Sequence, residues 1–243
     1  MADVDLEWLA RSYDLRPMSK AARQRAETSA LGLAGRLVDV GGGRGEHAGA
    51  WVGPGRSPIV VDPSRAMVAE ADMVPGVRVV SARAQHLPFR DGTASLAYFH
   101  LSIHYGDWMR ALDEAMRVVR PGGRIEIWTM GHEAIKRSSL ATWFPRVAEI
   151  DLVRFPDPED LTRYCIERGG LVEVSEVIEP IVRSAGEWMT AVRGRFVSTL
   201  QLLDADDMAD GLARFASAYP DPSTPYRYDM ALTRISTTVQ RLR

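Results

Sequence analysis

The first half of the chain alternates short, β-branched apolar runs with segments long enough to form a helix. Five such runs occupy residues 37–40, 59–61, 77–80, 95–99 and 124–128. Strands that alternate with helices join through crossover connections, which bring successive strands into one parallel sheet covered by helices. The sequence therefore predicts an α/β fold with a doubly wound, mostly parallel sheet.

Residues 108–119 carry the clearest helical signal in the chain. Met109, Leu112, Met116 and Val119 recur at a spacing that places them on one face of a helix. The sequence RPGG follows at residues 120–123, and it predicts a sharp end to the helix and a tight turn before the fifth strand. Two further amphipathic helices are predicted ahead of the first strand, with Pro17 interrupting the segment between them.

The alternation ends beyond residue 130, and the C-terminal part has a different pattern. It predicts a helix over residues 157–168, a strand over 171–178, two helices within 184–218 with Asp204 as the cap between them, and a last strand over 226–235. We interpret residues 1–243 as one domain. Its parts are an N-terminal helical flap over 1–34, a core over 35–130 and a C-terminal part over 131–243, which includes a helical insertion at about 181–224.

Charge and cysteine content exclude several classes of protein. With 30 basic and 32 acidic residues, the net charge of −2 gives no reason to expect nucleic acid or an anionic membrane as a partner. The single cysteine, Cys165, allows neither an internal disulfide nor a cysteine-based zinc site. No stretch of about 18 apolar residues is present. We expect a cytoplasmic protein, and the sequence does not indicate an oligomeric state.

The sequence LVDVGGGRGEHA, residues 37–48, joins the first strand to a predicted helix. Glycines at 41, 43 and 45 allow a ligand to approach the backbone amides, and Asp62 ends the second predicted strand, where an acid can bind ribose hydroxyls. A dinucleotide fits poorly, because Glu46 stands where G-x-G-x-x-G requires glycine. Two carboxylates, Asp39 and Asp62, favour a ligand with a ribose and a cationic amino-acid end. A glycine-rich turn without a ligand remains the alternative.

Four segments together resemble the class I S-adenosylmethionine-dependent methyltransferases over about residues 35–130. They are LVDVGGGRG, VVDPS, LPFRDGTASLAY and RVVRPGGRIEI. The segment SAGEWMTAVRGR is similar, more weakly, to the small-molecule branch that includes trans-aconitate methyltransferase. The resemblance implies a Rossmann-like, seven-stranded sheet with a helical insertion before the last strand. It also implies S-adenosyl-L-methionine as cofactor and methyl transfer to an oxygen, nitrogen or carbon atom of a small molecule.

The same resemblance implies roles for individual residues. Asp39, Gly41, Gly42, Gly43 and Gly45 would border the methionine end of the cofactor, Asp62 would bind the ribose, and Pro63 and Ser64 would lie near the adenine.

Two departures from the family pattern bear on the cofactor. Arg83 stands where relatives often have an aspartate that binds adenine, so adenine recognition would pass to the backbone of Ala84 or to the carbonyl of Gln85. Phe99 and His100 stand where small residues are usual and would crowd the methionine end. These departures keep open a methyltransferase fold with an altered pocket, either non-catalytic or used for another reaction such as a cyclisation.

The segment FHLSIHYGDW, residues 99–108, leaves the fourth strand at the edge where α/β sheets bind substrates. His104 is the predicted general base, since histidine titrates near neutral pH, although it could equally line the loop without chemistry. The spacing of His100 and His104 does not indicate a metal site. Candidate substrate-binding residues are Tyr13, Tyr105, Trp108 and Arg193, whereas Trp188 and Phe196 are predicted to be core.

Overall fold

The structure is a computed structural model that describes residues 4–15 and 18–240. Pro17 lies outside the described residues. The chain divides into two compact units whose segments interleave along the sequence. One unit, the α/β unit, contains Met18–Thr129, Pro156–Glu176 and the residues from Thr233 onward. The other, the helical unit, contains the described residues up to 15, Met130–Phe155 and Val177–Leu232.

Seven strands form one sheet in the order β3-β2-β1-β4-β5-β7-β6. The strands are β1 Gly35–Val40, β2 Arg56–Asp62, β3 Arg78–Ser81, β4 Ala94–His100, β5 Val119–Thr129, β6 Leu171–Ser184 and β7 Pro225–Thr238. Pairings among β1 to β5 are parallel, and β7 runs antiparallel to β5. The predicted doubly wound, mostly parallel sheet is therefore confirmed. β1 is bonded to β2 on one side and to β4 on the other, so the strand order reverses there.

Eleven α-helices are found among the described residues. They are α1 Leu6–Arg11, α2 Lys20–Ser29, α3 Glu46–Ala50, α4 Arg65–Ala71, α5 Trp108–Val118, α6 His132–Lys136, α7 Ser139–Trp143, α8 Pro145–Arg154, α9 Pro158–Glu167, α10 Ala185–Arg193 and α11 Ala205–Ala218. Two 3-10 helices, Tyr13–Leu15 and Ser198–Leu202, complete the set. Asp204 caps α11 as predicted, since its side chain accepts a bond from the backbone N–H of Asp207 at 2.8 Å.

The two faces of the sheet in the α/β unit differ in character. Val38, Val40, Ala97, Phe99 and Ile125 lie on one face, in a hydrophobic core shared with α5 and α9. Side chains alternate along a strand, so the neighbouring positions face the other way. That second face carries polar residues at the ends of β1, β4 and β5, and it positions the candidate site.

The helical unit has its own core, which is largely aromatic. Trp188 and Phe196 belong to it, as predicted from their helical spacing. The Trp188 and Phe215 rings stack with centroids 4.0 Å apart. This unit contains no helix long and apolar enough to span a membrane, and the same holds for the rest of residues 4–15 and 18–240.

Two local predictions were wrong. RPGG does not separate α5 from a later strand, because β5 begins at Val119 and the glycine-rich segment forms an irregularity in its pairing with β4. Met109 does not face the core: its side chain is 46% exposed, and the buried stripe of α5 consists of Ala111, Leu112, Ala115 and Val118.

Candidate functional site

The glycine-rich turn leaves β1 where the strand order reverses, the position at which open α/β sheets bind ligands. Gly41, Gly43 and Gly45 all have positive φ, at 68°, 54° and 78°. A Cβ atom on Gly42 would lie 2.6 Å from Cγ of Asp39, so a side chain there would displace the carboxyl group. Backbone conformation and space thus both require glycine in this turn.

Asp62 ends β2 beside the turn and is buried. Its Oδ2 accepts a bond from the Gly43 backbone N–H at 3.0 Å, and its Oδ1 accepts one from the Ser64 N–H at 2.9 Å. Carboxylate oxygens accept hydrogen bonds, including those of hydroxyl groups. Asp62 therefore caps the strand end and also holds the glycine turn. Pro63 is exposed, and the Ser64 hydroxyl caps α4.

Asp39 is almost fully enclosed, with 1% of its surface exposed. Its Oδ2 has no hydrogen-bond partner among residues 4–15 and 18–240. Burial raises the pKa of Asp39 to about 8; an N–H bond from Ala48 opposes this shift, and the charge of Asp62 adds to it. The carboxyl is mostly protonated at pH 7, and a cation placed beside it would restore the ionised form.

The loop after β4 is bonded to the glycine turn. Ser102 Oγ donates to the Val40 carbonyl at 2.6 Å, and a Cβ atom on Gly41 would lie 2.6 Å from that of Ser102. Leu101, just before it, has a φ of 51°, which is uncommon for a residue with a side chain. The loop and the turn are therefore fixed against each other.

His104 lies on this loop and is 8% exposed, with its ring centroid 4.2 Å from that of Tyr105. His100 ends β4, and its ring lies 4.4 Å from the ring of His47 on α3. Phe99 points to the opposite face and is part of the hydrophobic core. The structure thus brings His100 and His104 to the carboxyl edge of the sheet, whereas the Phe99 side chain packs in the core.

In the segment of Arg83, Ala84 and Gln85, where the sequence departs from the family pattern, Gln85 makes hydrogen bonds to the rest of the protein. Arg83 is exposed and Ala84 is half-buried. Gln85 Nε2 donates to the carbonyls of Tyr105 and Asp107, at 3.2 and 3.1 Å, and so ties this segment to the loop after β4. The side-chain nitrogen of Gln85 has a structural role, and adenine recognition by its carbonyl stays a prediction.

The predicted substrate-binding residues are distributed over both units. Tyr105 and Trp108 belong to the α/β unit, where the Trp108 ring packs against Tyr164 of α9 at 5.1 Å. Tyr13, in a 3-10 helix, and the exposed Arg193, at the end of α10, belong to the helical unit. Their role in substrate binding stays a prediction.

Sequence analysis missed several polar residues beside the site: Arg25, His47, Tyr98 and Trp128. His47, Tyr98 and Trp128 lie next to His100 in the α/β unit, and Arg25 lies over the Trp128 ring. For Tyr98 and Trp128, the signal in the sequence was the alternation of polar and apolar residues along a strand. Tyr98 and His100 alternate on β4, and Glu126 and Trp128 alternate on β5, each with apolar residues between them.

Comparison with known proteins finds a sequence match within the α/β unit. Residues 38–127 match the family described as a methyltransferase domain. The malonyl-[acyl-carrier protein] O-methyltransferase of Pectobacterium atrosepticum is 30% identical over 108 residues, which are 44% of this chain and 43% of that enzyme. The chain thus matches less than half the length of this curated relative.

Solved structures resemble the chain over most of its length. The YcgJ protein of Bacillus subtilis has a TM-score of 0.65 at 18% identity, covering 90% of this chain and 97% of its own. Geranyl diphosphate C-methyltransferase of Streptomyces coelicolor, solved with Mg²⁺, geranyl diphosphate and S-adenosyl-L-homocysteine, has a TM-score of 0.53 at 17% identity, covering 90% and 79%. At these identities the likeness concerns the fold. Residues 38–127 thus match a methyltransferase domain by sequence, and the chain has a fold similar to that of this solved methyltransferase.

Proposed function

We propose that this protein binds S-adenosyl-L-methionine and transfers its methyl group to a small-molecule acceptor. The observation that carries the proposal is the glycine turn at the reversal of strand order, with Asp62 on one side and the buried Asp39 on the other. We also propose that residues 1–243 work as a single methyltransferase domain.

The residues present fit the cofactor. The positive-φ glycines leave a side-chain-free surface of backbone, and the Asp39 Oδ2 has no partner within the described part of the chain. The ammonium group of a methionine moiety would supply the charge that the buried carboxyl needs in order to ionise. As a carboxylate, Asp62 can accept hydrogen bonds from ribose hydroxyls. When bound, the cofactor supplies an electrophilic methyl group.

The chain itself would orient the reactants and, for some acceptors, move a proton. His104 is the proposed base for a hydroxyl or ammonium acceptor, because its loop is bonded to the glycine turn through Ser102. A carboxylate acceptor is already ionised at pH 7 and needs no base. Tyr105 and Trp108, on or next to the same loop, remain the proposed substrate contacts of this unit.

Calorimetry followed by a transfer assay tests the proposal. We expect S-adenosylmethionine and S-adenosylhomocysteine to bind with micromolar affinity, and radiolabelled methyl to appear in at least one member of a library of small hydroxy, amino and carboxylic acids. Absence of binding would contradict the proposal and favour the altered pocket suggested by Arg83. Binding with cofactor consumption but no methyl transfer would favour a different reaction.

A further inference from the structure

A group of polar side chains lies on the second face of the sheet at the carboxyl ends of β4 and β5. Tyr98 pairs with Glu126 and His100 pairs with Trp128, so all four side chains share this face. Arg25 reaches it from α2, and its guanidinium carbon lies 5.3 Å from the centroid of the Trp128 ring, within cation–π distance.

Two hydrogen-bond donors in this group are enclosed and unused. Tyr98 is 0% and Trp128 4% exposed, and neither the Tyr98 hydroxyl nor the Trp128 Nε1 has a hydrogen-bond partner among the residues that the structure describes. An indole N–H can only donate, so Trp128 requires an acceptor atom. Trp51 shows the contrast, because its Nε1 donates to the Ala26 carbonyl at 2.7 Å.

Both acids and arginines lie around Tyr98 on this face. Glu126 is already engaged: Arg234 donates two bonds to it, at 2.8 and 2.6 Å, and Ser236 donates a third at 3.1 Å. Burial raises the pKa of Tyr98 well above its ordinary value, Asp39 adds to that shift and Arg25 opposes it. The phenol therefore stays neutral and able to donate, close to the positive charge of Arg25.

This group extends along the sheet away from the proposed cofactor contacts, beginning at Tyr98, which pairs with Asp39. Asp62 ends β2 and the glycine turn follows β1, whereas Trp128 is on β5, two strands beyond β1 in the order β2-β1-β4-β5. Neighbouring strands are about 4.8 Å apart, so β5 lies roughly 10 Å from β1. A ligand that extends from Asp62 across β1 would present its reactive end toward β4 and β5.

We propose that Tyr98, Trp128 and Arg25 bind a carboxylate of the methyl acceptor, so that the substrate is a small carboxylic acid. A hydroxyl, an indole N–H and a guanidinium together complement the two oxygens of a carboxylate. The site fixes the recognised group and leaves open which atom of the acceptor is methylated. The inference rests on the proposed function, and its test has a readout that does not depend on turnover.

The indole N–H signals of the six tryptophans in an NMR spectrum of the ¹⁵N-labelled protein give that readout. The Trp128 signal is identified by its loss in Trp128→Phe, and Trp143, whose Nε1 donates to the Tyr226 hydroxyl in the helical core, serves as an internal reference. Acetate and benzoate are titrated into protein loaded with S-adenosylhomocysteine, with acetamide and benzamide as neutral controls. We expect the carboxylates to shift the Trp128 signal in a saturable manner, with little effect on Trp143 and at least tenfold weaker effects from the amides.

Variants that each remove one hydrogen-bond donor test whether the shift of the Trp128 signal comes from binding at this site. Trp128→Phe and Tyr98→Phe each retain an aromatic ring and remove one donor, and we expect Tyr98→Phe to weaken benzoate binding at least tenfold while S-adenosylhomocysteine binds within twofold of wild type. Trp143→Phe removes a donor that is already paired, so it should lower thermal stability and leave benzoate binding intact.

Three outcomes would overturn the inference. A Trp128 signal that no carboxylate moves would indicate that bound water serves these donors. Equal shifts of Trp143 and Trp128 would indicate nonspecific binding. A tenfold loss of S-adenosylhomocysteine affinity in Trp128→Phe, absent for the decarboxylated analogue, would assign the donors to the carboxylate of the cofactor. If wild type does not bind S-adenosylhomocysteine, the proposed function fails, and the response of the free protein to benzoate still decides whether the carboxylate site exists.

Discussion

The two units differ in how their buried polar groups are hydrogen-bonded. In the helical unit, the Tyr226 hydroxyl accepts a bond from Trp143 Nε1 at 2.8 Å and pairs with the Ser139 hydroxyl at 2.9 Å. In the α/β unit, Asp39 Oδ2 and Trp128 Nε1 have no hydrogen-bond partner within residues 4–15 and 18–240. Buried polar atoms are normally paired, so the exceptions mark where a ligand is expected. The polar groups of the helical core stabilise its packing, whereas those at the carboxyl edge of the sheet are where we expect a ligand.

Glycines show the same contrast. A Cβ atom on Gly211, in α11, would lie 2.0 Å from the Phe144 ring, so this glycine allows close aromatic packing. Gly43 has a φ of 54° and donates its backbone N–H to Asp62, so it serves the geometry of the turn. The comparison therefore predicts that mutations in the helical core reduce stability, whereas mutations in the turn reduce cofactor affinity.

The largest expected effect is on the stability of the helical unit. Trp188→Ala removes a fully buried ring stacked on Phe215, and we expect a loss of about 3–5 kcal/mol in the free energy of unfolding. Denaturant unfolding measures it, with Val153→Ala, at a side chain 69% exposed in the same unit, as the control. A loss below about 1 kcal/mol would contradict the packing role of the aromatic core.

His104→Ala should act on turnover and leave binding unchanged. For a hydroxyl or ammonium acceptor, the rate should fall by about 10²–10⁴-fold, with S-adenosylhomocysteine affinity within twofold of wild type. Steady-state kinetics and calorimetry on the same variant measure the two effects, and the exposed His86→Ala is the matched control. A loss below tenfold would reject the base role and remain compatible with methylation of a carboxylate.

Two glycines with positive φ allow a direct comparison of strain with function. Gly43→Val and Gly32→Val both force a branched residue into a left-handed conformation, but a Cβ atom on Gly32 would have no neighbour within 4 Å, and Gly32 lies before β1, away from the turn. We expect Gly43→Val to weaken S-adenosylhomocysteine binding about 100-fold or more, and Gly32→Val to alter only the melting temperature. Equal affinities would place the cofactor elsewhere.

The smallest effect concerns Asp39 and pH. Its pKa is about 8 in the folded protein against an ordinary 3.8, so the folded state holds this proton more tightly than the unfolded state. The group therefore stabilises the fold at low pH, and this contribution is lost as pH rises from about 4 to 8. Asn mimics the protonated acid and does not titrate. The free energy of unfolding should therefore fall between pH 5 and 7 by roughly 1–3 kcal/mol less in Asp39→Asn than in wild type. Parallel pH dependences in the two proteins would show that Asp39 ionises normally.

Much of the α/β unit could be predicted because its signals are local. The runs at β1, β2 and β4 gave the strands, and the glycine turn with Asp62 gave the position of the candidate site. The turn predicted at RPGG, residues 120–123, was wrong because an irregularity in the pairing with β4 accommodates glycine and proline inside β5. Met109 misled because the apolar stripe of α5 is formed by small residues, such as Ala111 and Ala115, that carry little pattern.

The rest depends on contacts between distant parts of the chain. Helices α6 and α7 have five residues each, too few for a periodic pattern. The enclosure of Asp39 and the approach of Arg25 to Trp128 arise only when separate segments pack together. Sequence therefore located the turn and not the polar face beside it.

Calorimetric titration of wild type and Asp62→Ala with S-adenosylhomocysteine tests the central claim, that the turn between β1 and α3 binds the cofactor with Asp62 on its ribose. The loss of two charge-assisted hydrogen bonds, about 2–3 kcal/mol, should weaken binding roughly 30- to 150-fold. Circular dichroism should show that the variant remains folded. An affinity within threefold of wild type would contradict the account.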